Sequence, residues 1–496
     1  MEQIFNPYLP LNEYVPDGEP HVFDGRVYVY GSHDKSKGKA YCEEHYVVWS
    51  APVDNLKDWR CEGTSYRRTQ DPSNKRDTLQ LWAPDVVKGA DGRYYMYYCL
   101  SFYPEIGVAV SDSPAGPFEF YGHVHYSKDL YGGKVLEEGM PFDPAALVDD
   151  DGRVYLYYGF APACEKEMIL PKVSQEELDA MSEEADAFKY MLKSKFGENS
   201  MVVELESDML TMKGAPAACI PGGKHAKGTG FEGHAFFEAS SIRKINGLYY
   251  FVYSSHKSHE LCYAVSDKPM SGYKYGGIIV SNGDIGFEGR EKPSNALGNN
   301  HGGIACVGED YYIFYHRQTN GTEFSRQGCA EKIQILPDGS IPQVEITSCG
   351  LNGAPLKAKG IYPAAIACNV MSPTNPDTID YNNPVMRQQT RITQSSQQQY
   401  ITDIRNRTVL GYKYFEGCEE KQAQKLVLEL RGSFKGEIII SSDEAGENVL
   451  GRCEVNLDEA FWTLNETEVK LVAGRFALFI SFVGEGCCEM RAFGFI

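Results

Sequence analysis

A chain of 496 residues exceeds the span of one ordinary hydrophobic core, so two or three domains are expected. Its 48 Lys and Arg against 68 Asp and Glu give a formal charge of −20, which repels a polyphosphate backbone and argues against a nucleic-acid partner. The opening MEQIFNPYLPLNEYVPDGEP has no basic stretch followed by an apolar one, and no segment reaches the roughly 18 apolar residues of a membrane span. A cytoplasmic protein without membrane contact is therefore expected. The 14 cysteines are scattered, without CxxC pairs, and read as reduced, mostly buried thiols. No HExxH, Walker or dinucleotide glycine pattern is present, so zinc, nucleotide and nicotinamide chemistry lack their signatures.

Along the chain, one hairpin-like phrase returns five times: FDGRVYVYGSHD from Phe23, ADGRYYMYYCLS from Ala90, DDGRVYLYYGF from Asp150, INGLYYFVYSS from Ile245 and GEDYYIFYHRQ from Gly308. The first four open on Asp-Gly or Asn-Gly turn signals, and all continue in aromatic and β-branched runs suited to strands. Gly25, Gly92, Gly152 and Gly247 lie 67, 60 and 95 residues apart, and Glu309 follows 62 later. An all-strand unit of this length matches a four-stranded propeller blade. Five copies predict an all-β fold, a five-bladed β-propeller over residues 1–345. The long third interval holds SQEELDAMSEEADAFKYMLKSKFG, where Ser174 and Glu177 form a capping box. Leu178, Met181, Ala185, Phe188 and Leu192 recur at helical spacing, and Gly197 is the expected C-cap of a helix inserted at about 164–198. Residues 346–385, rich in Pro, Asn and Gly, read as a connection. Alternating strands and turns over 386–496 predict a β-sandwich.

Counting back from each turn finds Asp17, Asp85, Asp143, Glu238 and His301 seven to nine residues upstream. First strands of propeller blades line the central channel, so these positions predict a ring of ionisable groups at its mouth. Crowded carboxylates raise one another's pKa, a cost that glycoside hydrolysis exploits. That reaction needs one protonated carboxylic acid and one carboxylate that activates water, about 6.5–9.5 Å apart in inverting enzymes. Asp85, after Trp-Ala-Pro, reads rather as a blade-closing hydrogen-bond acceptor. For Asp17, Asp143 and Glu238 the repeat alone leaves structural and catalytic readings evenly matched.

Together, PDGEPHVFDGRVYVYGSHD, LWAPDVVKGADGRYYMYY, PFDPAALVDDDGRVYLYYG, FFEASSIRKINGLYYFVYSS and YYIFYHRQ closely resemble glycoside hydrolase family 43, in order across roughly residues 5–345. The resemblance implies a five-bladed propeller, inversion at the anomeric carbon, and arabinofuranose or xylose as the sugar. It assigns Asp17 as general base, Asp143 as the residue that orients the acid and raises its pKa, and Glu238 as general acid. Where the family has Asp-Pro this chain has Asp17-Gly18-Glu19-Pro20; Glu19 is the rival base, and register with His33-Asp34 favours Asp17. Trp82 and Phe142 match positions that pack on the sugar, His301 lies at the axis, Arg317 matches a residue that bonds sugar hydroxyls, and His33 completes the binding candidates. No cofactor is required for the chemistry, although some members hold a structural calcium ion at the axis. The C-terminal region resembles family 6 carbohydrate-binding modules in Gly411-Tyr412-Lys413-Tyr414-Phe415 and the Trp462 strand. Its last strand, GCCEMRAFGFI, lacks the Asn and aromatic residue of the usual sugar cleft, which favours a docking module. The implied function is exo-acting release of terminal α-L-arabinofuranose from arabinoxylan or arabinan oligosaccharides. β-D-Xylosidase or β-D-galactofuranosidase action on the same residues, and a sugar-binding propeller without catalysis, are the alternatives. The partner is an oligosaccharide; the sequence leaves a homo-oligomer open.

Overall fold

Turn chemistry sets the repeat. Asp24-Gly25 and Asn246-Gly247 take positive φ at both residues (47° and 76°; 53° and 82°), as the tight Phe23–Arg26 and Ile245–Leu248 hairpins require. In the second and third copies the pairing Lys88 to Tyr94 and Val148 to Val154 leaves longer loops at residues 89–93 and 149–153. The fifth copy turns between Val307 and Asp310, with Gly308 at φ 66° taking the glycine role one position early. The computed structural model describes residues 3–128, 140–163, 170–376, 389–396, 398–417 and 423–496.

Each hairpin opens a blade. Blade 1 runs Glu19–Phe23, Arg26–Tyr30, Tyr46–Pro52 and Arg60–Tyr66; blade 2 runs Leu81–Lys88, Tyr94–Leu100, Ile106–Ser111 and Glu119–His123. Blade 3 is built on Ala145–Val148, Val154–Tyr158, Asn199–Leu205 and Thr211–Met212, with His125–Tyr126 added in parallel at its edge and Ala217–Pro221 paired to Asn199–Leu205. Blade 4 comprises Phe236–Ile245, Leu248–Ser255, Glu260–Ser266 and Lys274–Ser281, and blade 5 Ile304–Val307, Asp310–Thr319 and Thr322–Ile333. The apolar residues of these strands meet between neighbouring blades. Tyr30 and Val48 pack with Met96 across blades 1 and 2, Val108 with Leu156 and Val203 across 2 and 3, and Tyr157 with Phe251 across 3 and 4. Val252 and Ile279 meet Ile313 across 4 and 5, and Val29 and Trp49 meet Phe314 across 5 and 1. Five such interfaces close a five-bladed ring.

The seam between blades 5 and 1 is fastened at several points. Asn6 Nδ2 donates to Ala330 O (3.0 Å), Ala330 N donates back to Asn6 Oδ1 (3.0 Å), and Tyr8 N donates to Gly328 O (3.3 Å), so the N-terminal segment covers the outer strand of blade 5. Gly18 and Gly302 form a parallel bridge nearer the axis. From the C-terminal region, Ile392 O accepts from Asn320 N (2.8 Å), Gln394 Oε1 accepts from the Tyr14 hydroxyl (2.6 Å), and Gln399 Nε2 donates to it (2.9 Å).

The insertion departs from the single helix expected. Its capping box is present, with Ser174 Oγ accepting from Glu177 N (3.2 Å) and Glu177 Oε2 from Ser174 N (2.8 Å). The helix Gln175–Ala180 stops at Met181, which is extended, and a second helix, Asp186–Lys193, ends at Ser194. Gly197 is not its cap; it donates to Phe160 O (2.7 Å), an approach a side chain would obstruct. Residues 164–169 lie outside the described residues.

The stretch expected as a connection is instead woven into the C-terminal sheet. Leu356–Lys357 pairs with Phe415 and Glu416, Gly360–Pro363 with residues 492–495, and Asn369–Met371 with residues 409–411, which satisfies backbone groups a free linker would leave to water. Residues 377–385 of that stretch are outside the described residues. The sheet is completed by Arg391–Ser395, Gln398–Ile404, Val409–Gly417, Ala423–Ser441, Val449–Lys470 and Gly474–Phe495, over a core that includes Leu428, Phe434, Ile438, Ile480 and Phe493.

Candidate active site

The inner strands converge on a cavity of about 450 Å³, a volume usual for small-molecule sites. Asp17, Asp143 and Glu238, from blades 1, 3 and 4, all line it. Asp17 and Asp143 precede their strands at positive φ (56° and 45°), and Ala239, directly after Glu238, also has positive φ (66°). Left-handed backbone at residues other than glycine is strained, and hydrogen bonds hold it in place. Asp143 Oδ2 accepts from Ala239 N (3.0 Å), so the residue beside one carboxylate is anchored by another. Asp17 N donates to His316 Nδ1 (3.3 Å), and His316 Nε2 donates to Asn299 O (2.7 Å).

The two outer carboxylates are pushed apart electrostatically. Burial works to raise the pKa of Asp17, but Arg326, whose Nη1 donates to Asp17 Oδ1 (2.8 Å), together with His316 and His301, holds it below the usual carboxylate range. Glu238 is driven up to about 8 by burial and by the Asp17 charge, against the pull of Arg326. Burial and the flanking Glu238 and Asp17 also push Asp143 up. The Ala239 amide that Asp143 receives favours its ionised form and works against that rise. Burial leaves His316 neutral, pushed down to about 3, and His301 down to about 4.

An aromatic wall faces the carboxylates. Trp82 meets Phe102 and Phe142 edge to face, with ring centroids 4.7 and 5.0 Å apart, and Phe160 links Phe142 to Phe237. All five rings line the cavity. Tyr41 and Glu323, from the loop after blade 1's second strand and from the last strand of blade 5, complete the lining and share a hydrogen bond in which the phenol donates. Glu323 is pushed up to about 7 by burial, opposed by Arg326. Arg326 is itself buried, gripping both Asp34 oxygens (2.8 and 3.0 Å) and lying 4.9 Å from the Tyr41 ring centre.

The expected ring of five ionisable groups is split into two levels. Asp85 is three residues from the end of its strand, whereas Glu238 is seven from the end of its own. Counting back from the turn glycine ignores loop length, and the longer blade 2 loop places Asp85 deeper. There it accepts from His21 Nε2 (2.6 Å) and from Ala146 N of blade 3 (2.8 Å), a blade-closing role. Glu19 shares this lower level: its Oε2 accepts from Arg243 Nη2 (2.7 Å) and Ser241 Oγ (3.1 Å). Burial and Asp85 push Glu19 up to about 7 while Arg243 pulls it down. Above it, Glu19 Oε1 and His301 Nε2 are buried without hydrogen-bond partners, 4.0 Å apart. One carboxylate oxygen and one imidazole suit a hydrated cation whose remaining ligands are water, and fall short of a cage built from protein oxygens.

A second cavity, of about 470 Å³, runs between the propeller and the C-terminal sheet. Among the described residues its one carboxylate, Glu444, is paired with Arg290. The chemistry therefore belongs to the axial cavity.

Comparison with known proteins agrees with this geometry. The model of glycosyl hydrolases family 43 matches residues 24–189. A xylosidase/arabinosidase of Thermoclostridium stercorarium is 43% identical over 99% of this chain and 98% of its own length. The chain belongs to glycoside hydrolase family 43. A xylosidase/arabinosidase of Humicola insolens, 30% identical, aligns with 67% of the chain and 97% of its own length. The crystal structure of a GH43_1 enzyme from Xanthomonas citri, 23% identical, superposes with a TM-score of 0.51 over 69% of this chain and 94% of that one, which supports the propeller fold.

In this family 43 propeller two expected sugar-binding residues lie elsewhere. His33 is bonded through Nε2 to Glu13 (2.9 Å) and through Nδ1 to His45 O (2.8 Å), bracing its own loop. Arg317 is buried against the C-terminal region, donating to Ala365 O (2.8 Å) and Ala367 O (3.1 Å). Strand parity explains the second error: His316 faces Asp17, so its neighbour Arg317 faces away. Arg326, paired across the hairpin with Gln318, lies on the face that His316 shares and supplies the guanidinium at the cavity. Sequence reading missed Arg326, Tyr41 and Glu323. An arginine inside an otherwise buried strand was the available signal, because such a charge survives only when paired.

Proposed function

We propose that this family 43 enzyme is an inverting, exo-acting glycosidase that releases terminal α-L-arabinofuranose from arabinoxylan or arabinan oligosaccharides, with β-D-xylose as the second substrate. The observation that carries this reading is the opposed electrostatics of one cavity: Asp17 is kept ionised beside Arg326 while Glu238 is held protonated up to about pH 8. Asp17 takes a proton from the attacking water and Glu238 gives one to the departing oxygen, on opposite faces of the sugar. Asp143, which touches the backbone of Ala239 rather than reacting atoms, positions Glu238. Glu19, the rival base, is engaged below the cavity with Arg243, which supports Asp17 in that role. The aromatic wall offers apolar ring faces to the sugar. The resemblance to xylosidase/arabinosidase enzymes supports both pentoses.

Glu19 Oε1 and His301 Nε2 are the atoms that would hold a hydrated calcium ion, which would add positive charge beneath Asp143; the proton transfers need none. The C-terminal region reads best as a β-sandwich that docks, since its strands grip Tyr14 and Asn320 of the propeller and its Ala364–Ile366 turn grips Arg317.

Proton NMR of the first sugar released from 4-nitrophenyl α-L-arabinofuranoside and β-D-xyloside tests the reading. Inverted configuration is expected, with the arabinofuranoside turned over faster. Glu238→Gln is expected to lose roughly 10²–10⁴-fold in turnover. A retained anomer, or a fully active Glu238→Gln enzyme, would exclude the mechanism.

A further inference from the structure

We infer that His234, Glu260 and Cys262 form a binding site, outside the catalytic cavity, for a thiophilic divalent cation of the zinc class. Glu260 and Cys262 are alternate residues of the strand Glu260–Ser266 and so share one face. His234 reaches them from the turn ahead of Phe236–Ile245, its carbonyl held by the Tyr253 hydroxyl (2.8 Å) and its ring stacked on Tyr275 with centroids 5.0 Å apart. The donor atoms lie within 4.8 Å of one another: Nδ1 of His234 is 2.6 Å from Glu260 Oε1, and Cys262 Sγ is 3.5 Å from that oxygen and 3.9 Å from Nδ1.

A tetrahedral zinc ion with bonds of about 2.0–2.3 Å spaces its ligands roughly 3.3–3.8 Å apart. The two sulfur distances are already near that spacing. Only the His234–Glu260 hydrogen bond must open, by less than about 1 Å. Nitrogen, oxygen and sulfur are the donors zinc takes, and three of them leave a fourth position for water.

Hydrogen bonding alone does not use the cluster fully. Glu260 is 1% exposed, yet its Oε2 has no hydrogen-bond partner, and Lys257 Nζ approaches it only to 3.8 Å. Ser255 Oγ donates to Oε1 (2.6 Å), the kind of outer contact that fixes a ligating carboxylate. Burial pushes the Cys262 thiol well above its ordinary range, so without a cation it keeps its proton. On binding, the S–H bond breaks, the proton passes to solvent, and the sulfur electron pair bonds the metal; no oxidant or reductant is involved. His234 is four residues ahead of Glu238, and Ser258, two before Glu260, lines the catalytic cavity. A cation at this site would tie the turn leading to Glu238 to the third strand of blade 4.

The test is titration of the full-length protein with cobalt(II), read by sulfur-to-cobalt charge-transfer absorption in the near ultraviolet, with zinc content measured after desalting. One ion per chain and a charge-transfer band are expected for the unaltered protein and for Glu238→Gln. Cys262→Ser should abolish the band, and His234→Gln should weaken binding at least tenfold. His234 is partly exposed, so its variant keeps the test decisive should Cys262→Ser misfold. Absence of the band in the unaltered protein would overturn the site, as would equal binding by the variants, which would assign the ion to other thiols, such as Cys61 and Cys306, exposed among the described residues.

Discussion

Replacing Arg326 by Met removes the one guanidinium that serves both Asp17 and Asp34 in a buried setting. Removing one partner of a buried ion pair costs about 3–5 kcal/mol, because the remaining charge is stranded. The cost should stand near that range at pH 7, since Asp34 keeps the Cys42 and residue 326 amides (both 3.0 Å) while Asp17 loses its strongest partner. The pH dependence carries a sign. In the unaltered protein the pKa of Asp17 is depressed, so its contribution to stability is present above the unfolded value of about 3.9 and is lost as pH falls through the folded value. In the variant burial prevails and the folded value rises, so the deficit is greatest where Asp17 is ionised and shrinks as acid neutralises it. Urea unfolding of both proteins between pH 8 and pH 5, followed by tryptophan fluorescence, measures the difference. The acid limb of kcat/KM should also move to higher pH, because Asp17 must be ionised to act. A variant of unchanged stability at pH 7, or a deficit that does not vary with pH, would refute the reasoning.

Asp143→Ala strands the Ala239 amide and should lower kcat with little effect on KM. Asp143→Asn keeps a carbonyl acceptor for that amide, so it should recover part of the rate while changing the pH profile; equal behaviour of the two would mean the hydrogen bond is not what positions Glu238. Glu323→Gln alters an acceptor in the cavity wall without touching the proton-transfer pair. If Glu323 accepts from a sugar hydroxyl, weakening that hydrogen bond, worth about 0.5–1.5 kcal/mol, should raise KM up to about tenfold and leave kcat nearly unchanged, with different factors for arabinofuranoside and xyloside. Trp82→Ala removes the ring that meets both Phe102 and Phe142 in the aromatic wall and should raise KM for both sugars, measured on the same aryl glycosides.

The blades were legible because a hairpin turn with positive φ leaves a local signature, Asp-Gly or Asn-Gly before an aromatic and β-branched run, which four copies carry and the fifth replaces with Gly308-Glu309. Asp17, Asp143 and Glu238 were legible for the same reason, since each stands ahead of such a turn, Glu238 on an inner strand and the two aspartates just before theirs. Asp85 shared that spacing yet sits lower, because the turn loop of blade 2 is longer than those of blades 1 and 4. Arg326 and Glu323 come from one outer strand, and Tyr41 from a loop, that the repeat does not index. Their presence at the cavity depends on how blade 5 closes against blade 1. Arg317 and Arg326, on the two strands of one hairpin, occupy opposite faces of it, which motif matching does not resolve. The connection was misread because Pro, Asn and Gly describe local turns, while the partners of Leu356–Lys357 and Gly360–Pro363 lie about 60 and 130 residues further on.

The seam between blades 5 and 1 gives the molecule an uneven wear pattern. Asp17 rides on that seam, one residue from the Gly18–Gly302 bridge, whereas Asp143 and Glu238 belong to blades joined in the interior of the chain. Heat or proteolysis that loosens either end of the polypeptide therefore disarms the water-activating side of the reaction first, while the acid side is still assembled. Residual activity of a partly opened population should consequently be sought with external nucleophiles such as azide, which need no base, and the ratio of azide-supported to hydrolytic turnover becomes a gauge of how far the ring has parted.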